Sequence, residues 1–157
     1  MATQRKLHPV ARLLETLEAE KIGFMLIGMS SAIVQGVMET TLDVNVRIDL
    51  PERQYMRVQN LTRAAGCVVA ANTVVYAADG TPVKFVYEVT GLGTFQREFK
   101  HTVRLPFRGK KIPVLKLESI LKSKQSIRRD KDLPHIIHIR DLPRCRRALK
   151  INPKKTQ

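Results

Sequence analysis

Cysteine is nearly absent from this sequence, and its two thiols, Cys67 and Cys145, lie far apart with no Cys-x-x-Cys or Cys-His spacing beside either. That scarcity excludes a disulfide framework and a zinc knuckle, and it fits a reducing, cytoplasmic compartment. Tryptophan is missing and aromatics make up 5% of the chain; Phe95, Phe99 and Phe107 read as core residues, so stacking of single-stranded bases is not indicated. No apolar run approaches the roughly 18 residues a membrane-spanning helix needs, and the N-terminus lacks the basic, apolar and small-residue order of a signal peptide. Glycine and proline contribute eight residues each, without a low-complexity tract, which excludes collagen-like and linker-dominated chains. No P-loop, dinucleotide fingerprint or Ser-His-Asp set can be assembled.

What remains is a chain of 157 residues, 43% apolar, a size that suits one globular domain with its own core. Its formal net charge is +14, from 28 Lys and Arg against 14 Asp and Glu. Placement matters more than size. Residues 1 to 99 hold ten basic and ten acidic side chains, so the last 58 residues carry the whole excess. Arg128, Arg129, Lys131, Arg140, Arg144, Arg146, Arg147 and Lys150 form a basic C-terminal run, either a solvated face or a surface for the RNA or DNA backbone.

Hydrophobic spacing gives the order of elements. Val10, Leu13, Leu14 and Leu17 mark one helical face after Pro9. Phe24 to Ile27 is a short continuous apolar run, read as a buried strand that Gly28 ends. Met29 to Gln35 is a small-residue helix bounded by Gly28 and Gly36. From Asp43 the pattern alternates, with Asp43, Asn45 and Arg47 on one face and Val44, Val46 and Ile48 on the other. Pro51 opens a helix that Gly66 closes. Three strands follow, Cys67 to Ala70, Val74 to Ala77 and Val83 to Val89, the last two joined by a hairpin at Asp79-Gly80. A short helix at Phe95 to Phe99 precedes a hairpin, Val103 to Phe107 and Ile112 to Leu115, turning through residues 108 to 111. Helices return at Leu117, with Lys122 and Lys124 pointing outward, and at Pro134, running to about Arg140. The expectation is an α/β (α+β) domain with one mixed sheet flanked by helices, spanning residues 1 to 157 and basic from about residue 117.

The stretch from Phe24 to Asp49 resembles the nucleotidyltransferase superfamily, in particular its minimal members and the abortive-infection AbiEii-type toxins. In those, a strand leads into a glycine pair and a helix ending in glycine, and a threonine turn introduces a strand bearing Asp-x-Asp. Gly28, Gly36, Thr40, Thr41 and Asp43 stand at the matching positions, and LKLESILKSKQSIRRDKDL resembles the closing helical segment, with Lys124, Lys131 and Asp132 matching. The resemblance implies a nucleoside triphosphate as ligand, bound near Gly28, Ser30, Ser31, Thr41, Lys124 and Lys131, and Mg2+ on carboxylates. Two divalent ions would activate the attacking oxygen and neutralise the leaving pyrophosphate. Asp-x-Asp suits this because residues i and i+2 of a strand share one face.

The sequence departs from that pattern at the chemistry. The second carboxylate position is Asn45, and the third aligns with Lys84. Met29 replaces the second glycine, and Glu39 stands where an arginine precedes the threonines. Asp43 is then the one metal ligand left, and Lys84 could pair with phosphate in the ion's place. Glu88 shares the Lys84 face, but four residues on, about 13 Å along a strand. His135 and His138 lie three apart without an acidic or Cys partner and are not read as a metal site. Three readings stay open. One is a nucleotidyltransferase-fold pseudoenzyme, toxin-antitoxin-like, that binds a nucleotide or acts with a protein partner. The second is an active enzyme using Asp43 and atypical ligands, and the third is a basic nucleic-acid-binding protein employing Arg128, Arg129, Arg144, Arg146 and Arg147. A membrane is not among the expected partners.

Overall fold

A computed structural model describes residues 7–127, 133–140 and 142 of the chain. Helix α1 (Pro9–Ala19) starts with Pro9 in its first turn, and the His8 Nδ1 accepts the Val10 N–H at 3.1 Å, so an otherwise unpaired donor of the first turn is satisfied. Strand β1 (Phe24–Ile27) is buried at all four positions. Helix α2 (Gly28–Val34) follows without a connecting residue, and strand β2 (Val44–Ile48) begins one residue later than expected, leaving Asp43 just outside it.

After a 3-10 turn at Glu52–Gln54, helix α3 (Tyr55–Ala64) leads to β3 (Val68–Ala71), β4 (Val74–Tyr76) and β5 (Pro82–Val86). Helix α4 (Phe95–Phe99), the hairpin β6 (Thr102–Phe107) and β7 (Lys110–Leu115), and helices α5 (Leu117–Ile127) and α6 (Leu133–Arg140) complete the order. The β6–β7 turn is tighter than expected. Only Arg108 and Gly109 intervene, both with positive φ, at 53° and 84°, the pairing of signs that matches the twist of a two-residue hairpin.

The seven strands form one mixed sheet in the order β3-β4-β5-β2-β1-β7-β6. β2 lies antiparallel to β1 and parallel to β5, and β1 is parallel to β7. Alternation divides the core between the two faces. Phe24, Leu26, Val44, Val46, Ile48, Val83 and Phe85 point to the side of α1 and α3. Met25, Ile27 and Leu115 point to the other, where α2, α5 and α6 bring Ala32, Leu117, Ile120, Leu121, Ile136 and Ile139. Each such buried aliphatic side chain contributes about 1.5–3 kcal/mol. On that second face the middle strands β2 and β5 present Asn45, Arg47 and Lys84 instead, and the candidate site lies there. Among the described residues no helix is long and apolar enough to cross a membrane.

Candidate functional site over the central strands

The site is built by the register of two strands. Parallel pairing of β2 with β5 sets Asn45 opposite Lys84, so the two side chains share one face, with Asp43 two residues before Asn45 on the same side. The Thr41 Oγ1 accepts the Asp43 N–H at 3.3 Å, holding the acid at the mouth of β2. A cleft of about 910 Å³ opens here. Gly28, Thr41, Asp43, Asn45, Lys84 and Lys124 all border it. The volume is at the upper end for a small-molecule site.

Backbone geometry explains the glycine. Gly28 has φ +63°, and a Cβ added there would come within 2.9 Å of the Asn45 Nδ2, so both conformation and space reserve this position for glycine. Ser30 fixes the same corner from beneath. Its hydroxyl donates to the Ile27 carbonyl at 2.9 Å and accepts the Asn45 N–H at 3.1 Å. Ser31 is fully buried and donates to the Leu115 carbonyl at 2.6 Å. Neither serine borders the cleft, so of the residues expected near phosphate these two serve packing in the structure and Gly28, Thr41 and Lys124 line the opening.

Three features were missed or misplaced in the sequence reading. Strand β5 ends at Val86, short of the expected Val89, and Glu88 leaves the strand direction to border the same cleft as Asp43 and Lys84; a straight-strand distance does not apply to it. His135 borders the cleft as well, and its Nδ1 is buried without a hydrogen-bond partner. Its neighbour in the sequence reading, His138, instead meets the Glu39 carboxylate at 2.6 Å, tying α6 to the loop before β2. Arg47 is the third. It is 3% exposed, where alternation alone left it on a polar strand face.

The Arg47 guanidinium donates from Nη2 to the Gly93 carbonyl at 2.9 Å and from Nε to the Tyr87 carbonyl at 3.4 Å. Burial pushes its pKa below the usual arginine value, opposed by the charges of Glu98, Glu88 and Asp49. Glu98, 5% exposed, accepts the Gly93 N–H at 3.0 Å. A buried cation and a buried anion thus bracket one residue, Gly93, and they anchor the segment that carries Glu88 and Thr90 along the cleft. The Ser123 hydroxyl, donating to the Thr90 carbonyl at 2.9 Å, ties this segment to α5.

Solved structures similar to this fold include a lincosamide antibiotic adenylyltransferase, LnuA, determined with lincomycin bound. It superposes with a TM-score of 0.55 at 14% identity, covering 85% of this chain and 95% of that one. A putative nucleotidyltransferase from Thermotoga maritima gives a TM-score of 0.55 at 17% identity over 87% of this chain and 96% of its own. An antigenic nucleotidyltransferase-like protein from Paracoccidioides brasiliensis gives 0.54 at 17% identity, over 94% and 87%. The chain has a nucleotidyltransferase fold. No protein-family model matches the sequence, and no curated protein matches it; at these identities the nucleotidyltransferase likeness is one of fold.

Within this nucleotidyltransferase fold the expected residues divide into three groups. Gly28, Thr41, Asp43, Asn45, Lys84 and Lys124 come together at the cleft, while Ser30 and Ser31 lie beneath it. Lys131, Arg128, Arg129, Arg144, Arg146 and Arg147 fall outside the described residues. Among the described residues, no three His, Cys, Asp or Glu side chains gather where one metal ion could sit. The expected outward direction of Lys124 is also corrected: this side chain is half-buried at the cleft, whereas Lys122 is exposed.

Proposed function

We propose that this protein binds the phosphates of a nucleoside triphosphate in the cleft over β2 and β5, with metal-dependent nucleotidyl transfer weakened or lost. The observation that carries this reading is the register of Asn45 with Lys84. A two-ion site needs oxygen ligands converging from these neighbouring strands, and here a neutral amide faces an ammonium. The donor set does not fit a pair of divalent ions. A lysine repels such an ion yet pairs well with phosphate oxygens, and among the described residues no acid forms an ion pair with Lys84. Gly28 lets the Asn45 side chain lie close against the backbone at the start of α2, and Lys124 adds a second cation to the cleft lining.

The protein is on this reading a pseudoenzyme, toxin-antitoxin-like in its glycine, helix and threonine segment, working as one domain in the cytoplasm. Isothermal titration of the full chain with ATP and with GTP, each with and without Mg2+ at low salt, tests it. Binding that does not need Mg2+ and that falls at least tenfold in Lys84→Ala is expected. Binding that requires Mg2+ and disappears in Asp43→Ala would instead support an active enzyme. That second reading is favoured by one specific observation, a second carboxylate, Glu88, in the lining of the cleft that Asp43 also borders.

A further inference from the structure

The face of the sheet that holds Asn45 and Lys84 does not stop at the cleft. Val74 of β4 pairs with Lys84, and Val68 of β3 pairs with Tyr76, so Val68, Val74 and Tyr76 continue the same face outward to the edge of the sheet. These side chains are left open: Val68 is 67% exposed and Tyr76 42%. Tyr76 does not border the cleft. It stands diagonally across the β4–β5 pair from Lys84, a spacing of about 7–8 Å between such positions. The exposed aromatic ring on this face is therefore a tyrosine and not one of the three phenylalanines. Of those three, Phe99 is itself partly exposed and stacks on Phe95 with centroids 5.6 Å apart.

Charge decides what this face fits. Residues 66–78, which carry β3 and β4, contain no Asp, Glu, Lys or Arg. The carboxylate of the β4–β5 turn, Asp79, is engaged by the His8 Nε2 at 3.2 Å and by the Thr81 N–H at 3.1 Å. Between Tyr76 and Lys84 the chain thus holds one acid, Asp79, and His8 and Thr81 engage it. The excess of +14 lies in residues 100–157, so on this face the attraction for a polyanion comes from Lys84. An exposed ring next to a cation on an open strand face suits a polynucleotide, whose bases stack on aromatic side chains while its phosphates pair with lysine.

We propose that the open face carrying Val68 and Tyr76 binds single-stranded nucleic acid, one base stacking on Tyr76 and the adjoining phosphate meeting Lys84. This rests on the reading of Lys84 as a phosphate partner and extends it from the cleft to the open face of β3 and β4, which the cleft does not include.

The test is fluorescence anisotropy of a fluorescein-labelled twelve-residue oligouridylate with the full chain, in parallel with the ATP titration. Tyr76→Ala is expected to weaken oligouridylate binding by about tenfold or more, Tyr76→Phe to retain it, and both variants to bind ATP as the parent does. Photo-crosslinking with 4-thiouridine in the same oligomer gives a reading that needs no variant and is expected to label Tyr76. Oligouridylate binding unchanged in Tyr76→Ala, crosslinks confined to other segments, or a monomer–dimer equilibrium lost in Tyr76→Ala overturns the inference, the last by assigning the face to a second copy. Tyr76-dependent oligouridylate binding in a protein that ignores ATP ends the cleft reading and leaves this one standing.

Discussion

Replacing Arg47 with methionine removes a buried cation while leaving Glu98 in place. In the folded protein these two charges, 3% and 5% exposed, both engage Gly93, whose carbonyl accepts from Arg47 and whose N–H donates to Glu98. Loss of one partner of a buried pair costs about 3–5 kcal/mol. The lower end, about 3 kcal/mol, applies because the contact is indirect, through Gly93, and the second bond, from Nε to the Tyr87 carbonyl, is long at 3.4 Å. Against a total stability of about 5–15 kcal/mol, that is a large fraction, and at this chain length it lowers the melting temperature by roughly 6–12 °C. Urea denaturation followed by circular dichroism measures it. The double variant Arg47→Met with Glu98→Leu should recover a good part of the loss, because apolar replacement of both members of a buried pair is often neutral. A single variant that loses less than about 1 kcal/mol, or a double variant no better than the single, would refute the argument that Glu98 needs Arg47.

Gly28→Ala combines a left-handed backbone with a Cβ 2.9 Å from the Asn45 Nδ2 and is expected to cost about 1–3 kcal/mol, read by thermal melting, together with weaker ATP binding. Ser31→Ala deletes a buried hydroxyl whose bond to the Leu115 carbonyl spans α2 and β7; a loss of about 1–2 kcal/mol with ATP affinity unchanged is expected, and a selective loss of affinity would return this serine to the binding site. Burial raises the Cys67 pKa, so in a Cys145→Ser background its reaction with a disulfide reagent is slow until unfolding. The folded thiol's raised pKa favours its neutral form; the associated stability is fully present below the unfolded thiol pKa, about 8.5, and is lost as pH rises through the folded value. Denaturation midpoints that do not fall on the alkaline side would contradict that sign.

The sequence by itself determined the elements and their order, because the signals involved are local. Four consecutive apolar residues from Phe24 to Ile27 mark β1 with the bounds found, and the spacing of Val10, Leu13, Leu14 and Leu17 marks the buried face of α1. The glycine, helix and threonine pattern brought Gly28, Thr41, Asp43 and Asn45 together on one site, since all lie within one short stretch of chain. One boundary differs beside a tertiary contact: β5 stops at Val86, and the carbonyl of the next residue, Tyr87, accepts from Arg47, 40 residues earlier. Periodicity could put Arg47 on the face of Asp43 and Asn45, but it could not reveal that the segment around Gly93 covers one end of that face and buries the guanidinium. Only the sheet order, which pairs β2 with β5 across an intervening helix and two strands, sets Lys84 opposite Asn45. The same order leaves Tyr76 exposed beyond them. Alternation assigns a residue to one of two faces; what covers that face depends on how distant segments pack, which no local pattern encodes.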